Sequence, residues 1–307
     1  GSWLPAGKSC AVCFSVDDVH PGRSSDAYEA GGDLENGSLG LVCDLLERQP
    51  VLKSTLFVTP DWRQISPFPT RKALARIPFL RDRVNLTRRL RPGTMSLERH
   101  QSFVRFLLGI PRTEVALHGL HHTHVGRLAH VEFQEQSVDE CRRLLAKAQE
   151  IFCSAGLGRA AGIQPPAWNT PSALVEACET EGLYYVCGAR DVNTPVSKGA
   201  RTAMSGPMGL SLIYPQEFPG AKVVHIATNF QATSRPERAM KILSLGGLLS
   251  IKAHIVKRAG SYVALDGVDE LYCNYLELLI ERIRSEYGSS VWFATMSEIA
   301  NAFRGAR

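Results

Sequence analysis

Two adjacent carboxylates, Asp17 and Asp18, close an apolar run within Val16-Asp17-Asp18-Val19-His20-Pro21. About a hundred residues later a second apolar run, Val115 to Leu117, leads into His118-Gly119-Leu120-His121-His122-Thr123-His124. Carboxylates and imidazoles of this kind can bind a divalent metal and activate a water on it. Neighbours within a strand point to opposite faces. At a strand's end the backbone can turn, so both aspartates can reach one site, one as ligand and the other as proton acceptor. An aspartate turn or helix cap is the plain alternative. His118 and His122 are four apart, which on one helical turn places them on the same face. His121 then points elsewhere, and His124 is left as a supporting or substrate contact. His20 is a further candidate for touching substrate.

Two more segments carry candidate chemistry. In Gln164-Pro165-Pro166-Ala167-Trp168-Asn169, two prolines freeze the backbone. That can aim the amides of Ala167 and Trp168 at a ligand, with the indole walling a sugar ring. A rigid turn without a ligand is the competing reading. His254 lies late in the apolar run Leu248 to Ile255, where a general acid with a near-neutral pKa can protonate a leaving amine. A core histidine is its rival. His225 has the same appearance but no site-like turn follows it.

The elements that must position these residues alternate. Strand candidates are Ala11 to Val16, Ser54 to Val58, Glu114 to Leu117, Gly162 to Gln164, Leu183 to Cys187, Leu210 to Tyr214, Lys222 to Ala227, Leu248 to Ile255 and Val291 to Ala294. Amphipathic spacing predicts helices over Val138 to Phe152 and Val268 to Tyr287, the second stopped by Gly288. Thr170-Pro171 offers an N-cap and a first-turn proline for another helix, which Gly182 ends. The alternation predicts an α/β fold with a parallel sheet, open or closed into a barrel. Residues 61–112 break the rhythm with five prolines. They read as an insertion at the strands' C-terminal face, where barrel enzymes place lids.

That insertion also concentrates charge. It holds eleven Arg and one Lys against Asp61, Asp82 and Glu98, a net of +9 in a chain of net +5. An anionic substrate or a peripheral membrane contact is implied, with Arg88 and Arg91 as candidate contacts, and a solvated loop is the alternative. No nucleic-acid motif accompanies the charge. No apolar stretch is long enough to span a membrane, and no signal peptide opens the chain. Gly1-Ser2 has the look of an expression remnant, so a leader removed ahead of it stays open. Eight scattered cysteines, mostly in apolar runs, suggest reduced core thiols and a cytoplasmic compartment. Cys10-x-x-Cys13 lacks the second pair a zinc site needs.

Strand-Asp-Asp, then His-Gly-x-x-His, a proline-rich turn and a late strand carrying His together resemble the polysaccharide deacetylases, the NodB-homology or carbohydrate esterase family 4 type. The order and approximate spacing agree from about residue 10 to 300, and Val291-Trp292-Phe293-Ala294-Thr295 is similar to that family's C-terminal end. The resemblance implies a distorted (β/α)7-8 barrel, one domain over 1–307 with 61–112 inserted. It implies Asp17 as catalytic base, Asp18, His118 and His122 as metal ligands, and His254 as general acid. Zn2+, or Co2+ or a similar ion, would polarise the acyl carbonyl. Departures are Val16 and Val19 in the first motif, Gly119 for the usual Ser or Thr, and Gln164 or Pro165 near the place of an arginine that normally holds the base. Asp191 fits the fourth motif only loosely.

The expected activity is therefore removal of an N-acetyl group from an acetamido sugar, whether a glycan, a lipid- or nucleotide-linked sugar, or an aminoglycoside-like molecule. A backbone amide near Ala167 is expected to help stabilise the oxyanion. Action on another acyl group or ester, or a non-catalytic metal-containing carbohydrate-binding protein, are the alternatives. A mere binder needs neither Asp17 nor His254.

Overall fold

The computed structural model describes residues 3–23, 31–65, 88–123, 131–255, 258–259 and 262–306. Its principal strands are β1 (Cys10–Val19), β2 (Ser54–Val58), β3 (Thr113–Leu117), β4 (Gly162–Ile163), β5 (Tyr185–Arg190), β6 (Val224–Thr228), β7 (Leu248–His254) and β8 (Val291–Phe293). Helices are α1 (Ser38–Arg48), α2 (Gln101–Gly109), α3 (Val138–Ala155), α4 (Ser172–Thr180), α5 (Pro236–Ser244), α6 (Glu270–Tyr287) and α7 (Met296–Gly305).

The strands lie side by side in the order β7-β1-β2-β3-β4-β5-β6, all parallel, with β8 also on β1 and the short strand Gln216–Glu217 antiparallel to β6. The continuous ladder stays open, but just past β6 Phe230 makes a single parallel bridge to Ile251 of β7, so the two edges meet there. The α/β architecture with a parallel sheet that the alternation predicts is present. Near-continuous apolar strands such as β2, buried at every residue, follow from coverage of both faces.

One face packs on the helices through Val12, Phe14 and Val16 of β1 with Leu39, Leu46, Leu276 and Ile280. The other face is a smaller core of Ala11, Cys13, Phe57, Ala116, Tyr185, Cys187, Val224 and Ile226. Met296, Ile299 and Ala300 of α7 belong to that inner core. The start of α7 is anchored there by Met296 N–H to Thr55 Oγ1 and Ser297 N–H to Glu114 Oε2. With α7 packed against residues early in the strands, the inner face opens for chemistry at their C-terminal ends, where open α/β sheets place ligand sites.

Several expectations change. Leu210 to Tyr214 forms no strand; Ser211 makes one isolated bridge to Arg201, and Tyr214 N–H is tied back to Ser211 Oγ. Pro171, not Thr170, is the N-cap of α4, because the Thr170 hydroxyl donates to the Trp168 and Gly188 carbonyls. α6 starts at its cap Asp269. Cys10 and Cys13 sit on opposite faces of β1, one in each core, so they cannot pair with each other. Of the expected insertion, the described residues include an antiparallel pairing of Gln64–Ile65 with Arg88–Arg89 and, further on, α2; residues 66–87 lie outside the described residues.

Candidate active site

β1 delivers the two aspartates. Asp17 pairs in register with His254 on the adjacent parallel strand β7, so the sheet's own ladder sets them side by side. At Asp18 the backbone flips to φ 60 and the pairing with β2 shifts register, a bulge that re-aims the side chain. Both carboxylates thereby reach one end of the inner face, as a turn at the strand's end requires.

The histidines do not lie on a helix. The segment after β3 is a tight turn with φ 70 at Gly119 and φ 53 at His122, so it is these left-handed residues, not helical spacing, that bring His118 and His122 together. Glu132, itself at φ 60 and buried, clamps this turn by accepting the N–H groups of Leu120 and His121. His121 points away and bonds Asp61 through its carbonyl at 3.0 Å and its carboxylate at 3.3 Å. Burial lowers the His121 pKa, yet its bonds to Asp61 outweigh this and hold it above the ordinary value. His124 lies outside the described residues.

His118 Nε2 and His122 Nε2 converge on a single oxygen, Asp18 Oδ1, at 3.0 and 3.1 Å. Ligand atoms of Asp18, His118 and His122 all lie within 4.8 Å of one another. The tautomer shows what fits between them. His118 Nδ1 faces the Gln164 carbonyl at 2.8 Å, and a carbonyl only accepts, so Nδ1 carries the proton. In the neutral ring Nε2 then presents a lone pair to a carboxylate, an arrangement that calls for a cation. One carboxylate and two imidazoles suit Zn2+ or a related divalent ion.

Trp62 backs this centre. Its indole is stacked between His122, at 4.3 Å, and His20, at 4.0 Å. His20 is therefore 3% exposed, with Nδ1 accepting the Gly22 N–H, and burial pushes its pKa down to about 3. The side chain expected at the substrate is thus buried against Trp62, on the far side of that ring from His122.

The acid–base pair has its own supports. Asp17 Oδ2 accepts from Gln164 Nε2 at 2.9 Å, with Lys252 Nζ at 3.7 Å and His254 Nε2 at 3.8 Å, while Oδ1 has no hydrogen-bond partner among the described residues. His254 Nδ1 is 3.0 Å from Asp266 Oδ2, leaving Nε2 3.5 Å from Asp18 Oδ2. Burial alone would lower the His254 pKa, but the charges of Asp266 and Asp18 overcome it and the ring sits above its ordinary value. Asp18 is held well below the carboxylate range: burial opposes this, and the charge of His254 leads the effects that prevail.

The proline turn after β4 brings Trp168 edge-on to His254, ring centroids 6.4 Å apart. Ala167 and Trp168 both have positive φ, at 55 and 57. The Trp168 amide, expected to face a ligand, donates instead to the Pro165 carbonyl. Arg91 is exposed on a turn of the basic segment, and the Arg88 side chain lies outside the described residues. Asp191, the loose fourth-motif candidate, is buried in its own loop and accepts from Thr194 and Ala203.

Glu132, Trp62, Lys252 and Asp266 are absent from the sequence-based site. Only Lys252, a charge inside the apolar run Leu248 to Ile255, carried a signal.

No protein-family model and no curated protein sequence matches the chain. Solved structures do, and they show the fold: it is shared with polysaccharide deacetylases. A Mycobacterium smegmatis protein assigned to that group superposes with a TM-score of 0.59 at 15% identity, covering 99% of this chain and 93% of its own. A Pseudomonas aeruginosa PAO1 protein with the same assignment matches at 0.59 and 14%, covering 98% and 93%. The Puue allantoinase matches equally, at 0.59 and 14%, covering 99% and 93%. The family resemblance read from the motifs thus holds for the fold over nearly the whole chain.

Proposed function

We propose that this protein is a metal-dependent hydrolase that removes an N-acetyl group from an acetamido sugar. The observation that carries the reading is the convergence of Asp18, His118 and His122 within 4.8 Å, directly beside the register-matched pair Asp17 and His254. Bound there, a divalent ion, most simply Zn2+, would supply a Lewis acid for the acyl oxygen and a more acidic water.

The chain's own residues would do the rest. Asp17 Oδ1, buried and unpartnered, accepts the water's proton, while Oδ2 is occupied by Gln164. His254, oriented by Asp266, holds a proton for the departing amine at Nε2. Trp168 walls the site beside His254. The exposed Arg91 of the basic segment would attract an anionic sugar, and replacing it should then raise KM for such a substrate only.

Acetate release from N-acetylated sugars tests the reading. Chelation should abolish it and Zn2+ or Co2+ should restore it; turnover that survives complete metal removal overturns it. Because the same fold serves an allantoinase, a screen of other amide and ester donors belongs in the same assay, and a preference for them would keep the site but change the bond.

A further inference from the structure

Lys252 precedes His254 by two residues on β7, so both project from the same face, and its register partner is Ser15, one layer below Asp17. Its side chain is 0% exposed. The ammonium donates to Asp266 Oδ2, lies 3.7 Å from Asp17 Oδ2 and 2.9 Å from His254 Nδ1, and sits 4.6 Å from the Trp168 ring centroid. Burying an ammonium costs several kcal/mol unless carboxylates and hydrogen bonds compensate it. Here two carboxylates do, and each belongs to one half of the acid–base pair.

We propose that Lys252 is the positioning residue of the acid–base pair, a single buried cation that ties the base Asp17 to Asp266, the orienter of His254. It shares Asp17 Oδ2 with the Gln164 amide from the opposite wall. The Gln164 hydrogen bond and the ammonium charge 3.7 Å away hold that oxygen and leave Oδ1 to take the proton. Through Asp266 the same ammonium fixes the ring plane of His254, so base and acid keep a common frame. The assignment of catalytic consequence rests on the hydrolase reading; the ion cluster itself does not.

Two measurements separate them. The first needs no turnover: thermal unfolding of Lys252→Met, Asp17→Asn and the double variant, with Lys252→Gln in its place if the methionine variant does not fold. Lys252→Met should lower Tm by several degrees, and adding Asp17→Asn should return part of that loss, since an uncompensated carboxylate disappears. Losses that simply add overturn the cluster. Zinc affinity of Lys252→Met, read by competition with a chelating dye, should stay within about twofold, because no metal ligand is touched.

The second is kinetic. In Lys252→Met, kcat should fall about a hundredfold with KM nearly unchanged, the cost of misplacing reacting groups by about an ångström. Lys252→Met/Gln164→Arg, which returns a cation to Asp17 Oδ2 from the other wall, should regain at least tenfold. A kcat within about threefold of wild type, or no gain from Gln164→Arg, overturns the positioning role. A wild-type protein inert towards every acyl donor refutes the hydrolase reading instead, and the unfolding cycle then decides Lys252 alone.

Discussion

Gly119 offers a direct test of how the metal centre is built. It has φ 70, and a Cβ there would fall 1.9 Å from Glu132 Oε2 and 2.9 Å from Pro166 Cγ. An Ala or Ser at 119 therefore meets two costs. The left-handed backbone costs a non-glycine residue about 1–2 kcal/mol. The Glu132 carboxylate must also move, and hydrogen bonds to a charged group contribute about 1.5–3 kcal/mol each. Losing one of its two N–H donors, Leu120 or His121, brings the sum to about 3–5 kcal/mol. At roughly 2–4 °C per kcal/mol for a domain of this size, Gly119→Ala should lower the Tm of metal-free protein by about 6 to 20 °C. Because the clamped turn carries His118 and His122, zinc affinity should also weaken by about 10–100-fold. Scanning calorimetry and a competition titration measure the two effects. Gly109→Ala, at a position with nothing within 4 Å, is the control and should change neither. Gly119→Ser is the sharper variant, because it restores the residue common in the resembled family and should still fail. A Gly119 variant with wild-type Tm and wild-type zinc affinity would refute the clamp.

Three further outcomes are expected. Asp17→Asn should cut turnover by about 10²–10⁴-fold while zinc stays bound, checked by acetate release and metal analysis; lost metal would mean Asp17 is a ligand instead. Trp62→Ala removes the stacked face behind His122 and should weaken zinc binding by about tenfold or more, with Trp62→Phe in between. His225, 0% exposed with neither ring nitrogen partnered among the described residues, has its pKa pushed down to about 3 by burial. It is neutral when folded and gains a proton on unfolding below its ordinary value of 6.5, so its contribution is whole above that pH and is lost as pH falls towards 3. Between pH 8 and pH 5 the loss is about 2 kcal/mol, which urea unfolding of His225→Leu should show removed.

What was legible in the sequence follows the physics of strands. Asp17 and His254 could be placed because each ends an apolar run, and adjacent parallel strands keep such ends together. The turn geometry was not legible: a four-residue spacing is shared by a helix and by a chain reversed through positive φ at Gly119 and His122. Glu132 could not be found either, since its function comes from accepting backbone N–H groups and leaves no trace in residue spacing. Asp266 follows β7 in an irregular segment and is recognised only through its partner Lys252. The missing arginine misled less than it threatened to, because Gln164 and Lys252 approach the same oxygen of Asp17 from two sides.

The register Asp17↔His254 divides the site into parts of unequal permanence. The proton-handling pair is written into the sheet and shifts only if two strands slide past each other, which would unmake the inner core. The imidazoles of His118 and His122 hang from a left-handed loop conformation that one methyl group can spoil. Substitutions in that loop can therefore displace the imidazole pair while Asp17 and His254 stay aligned.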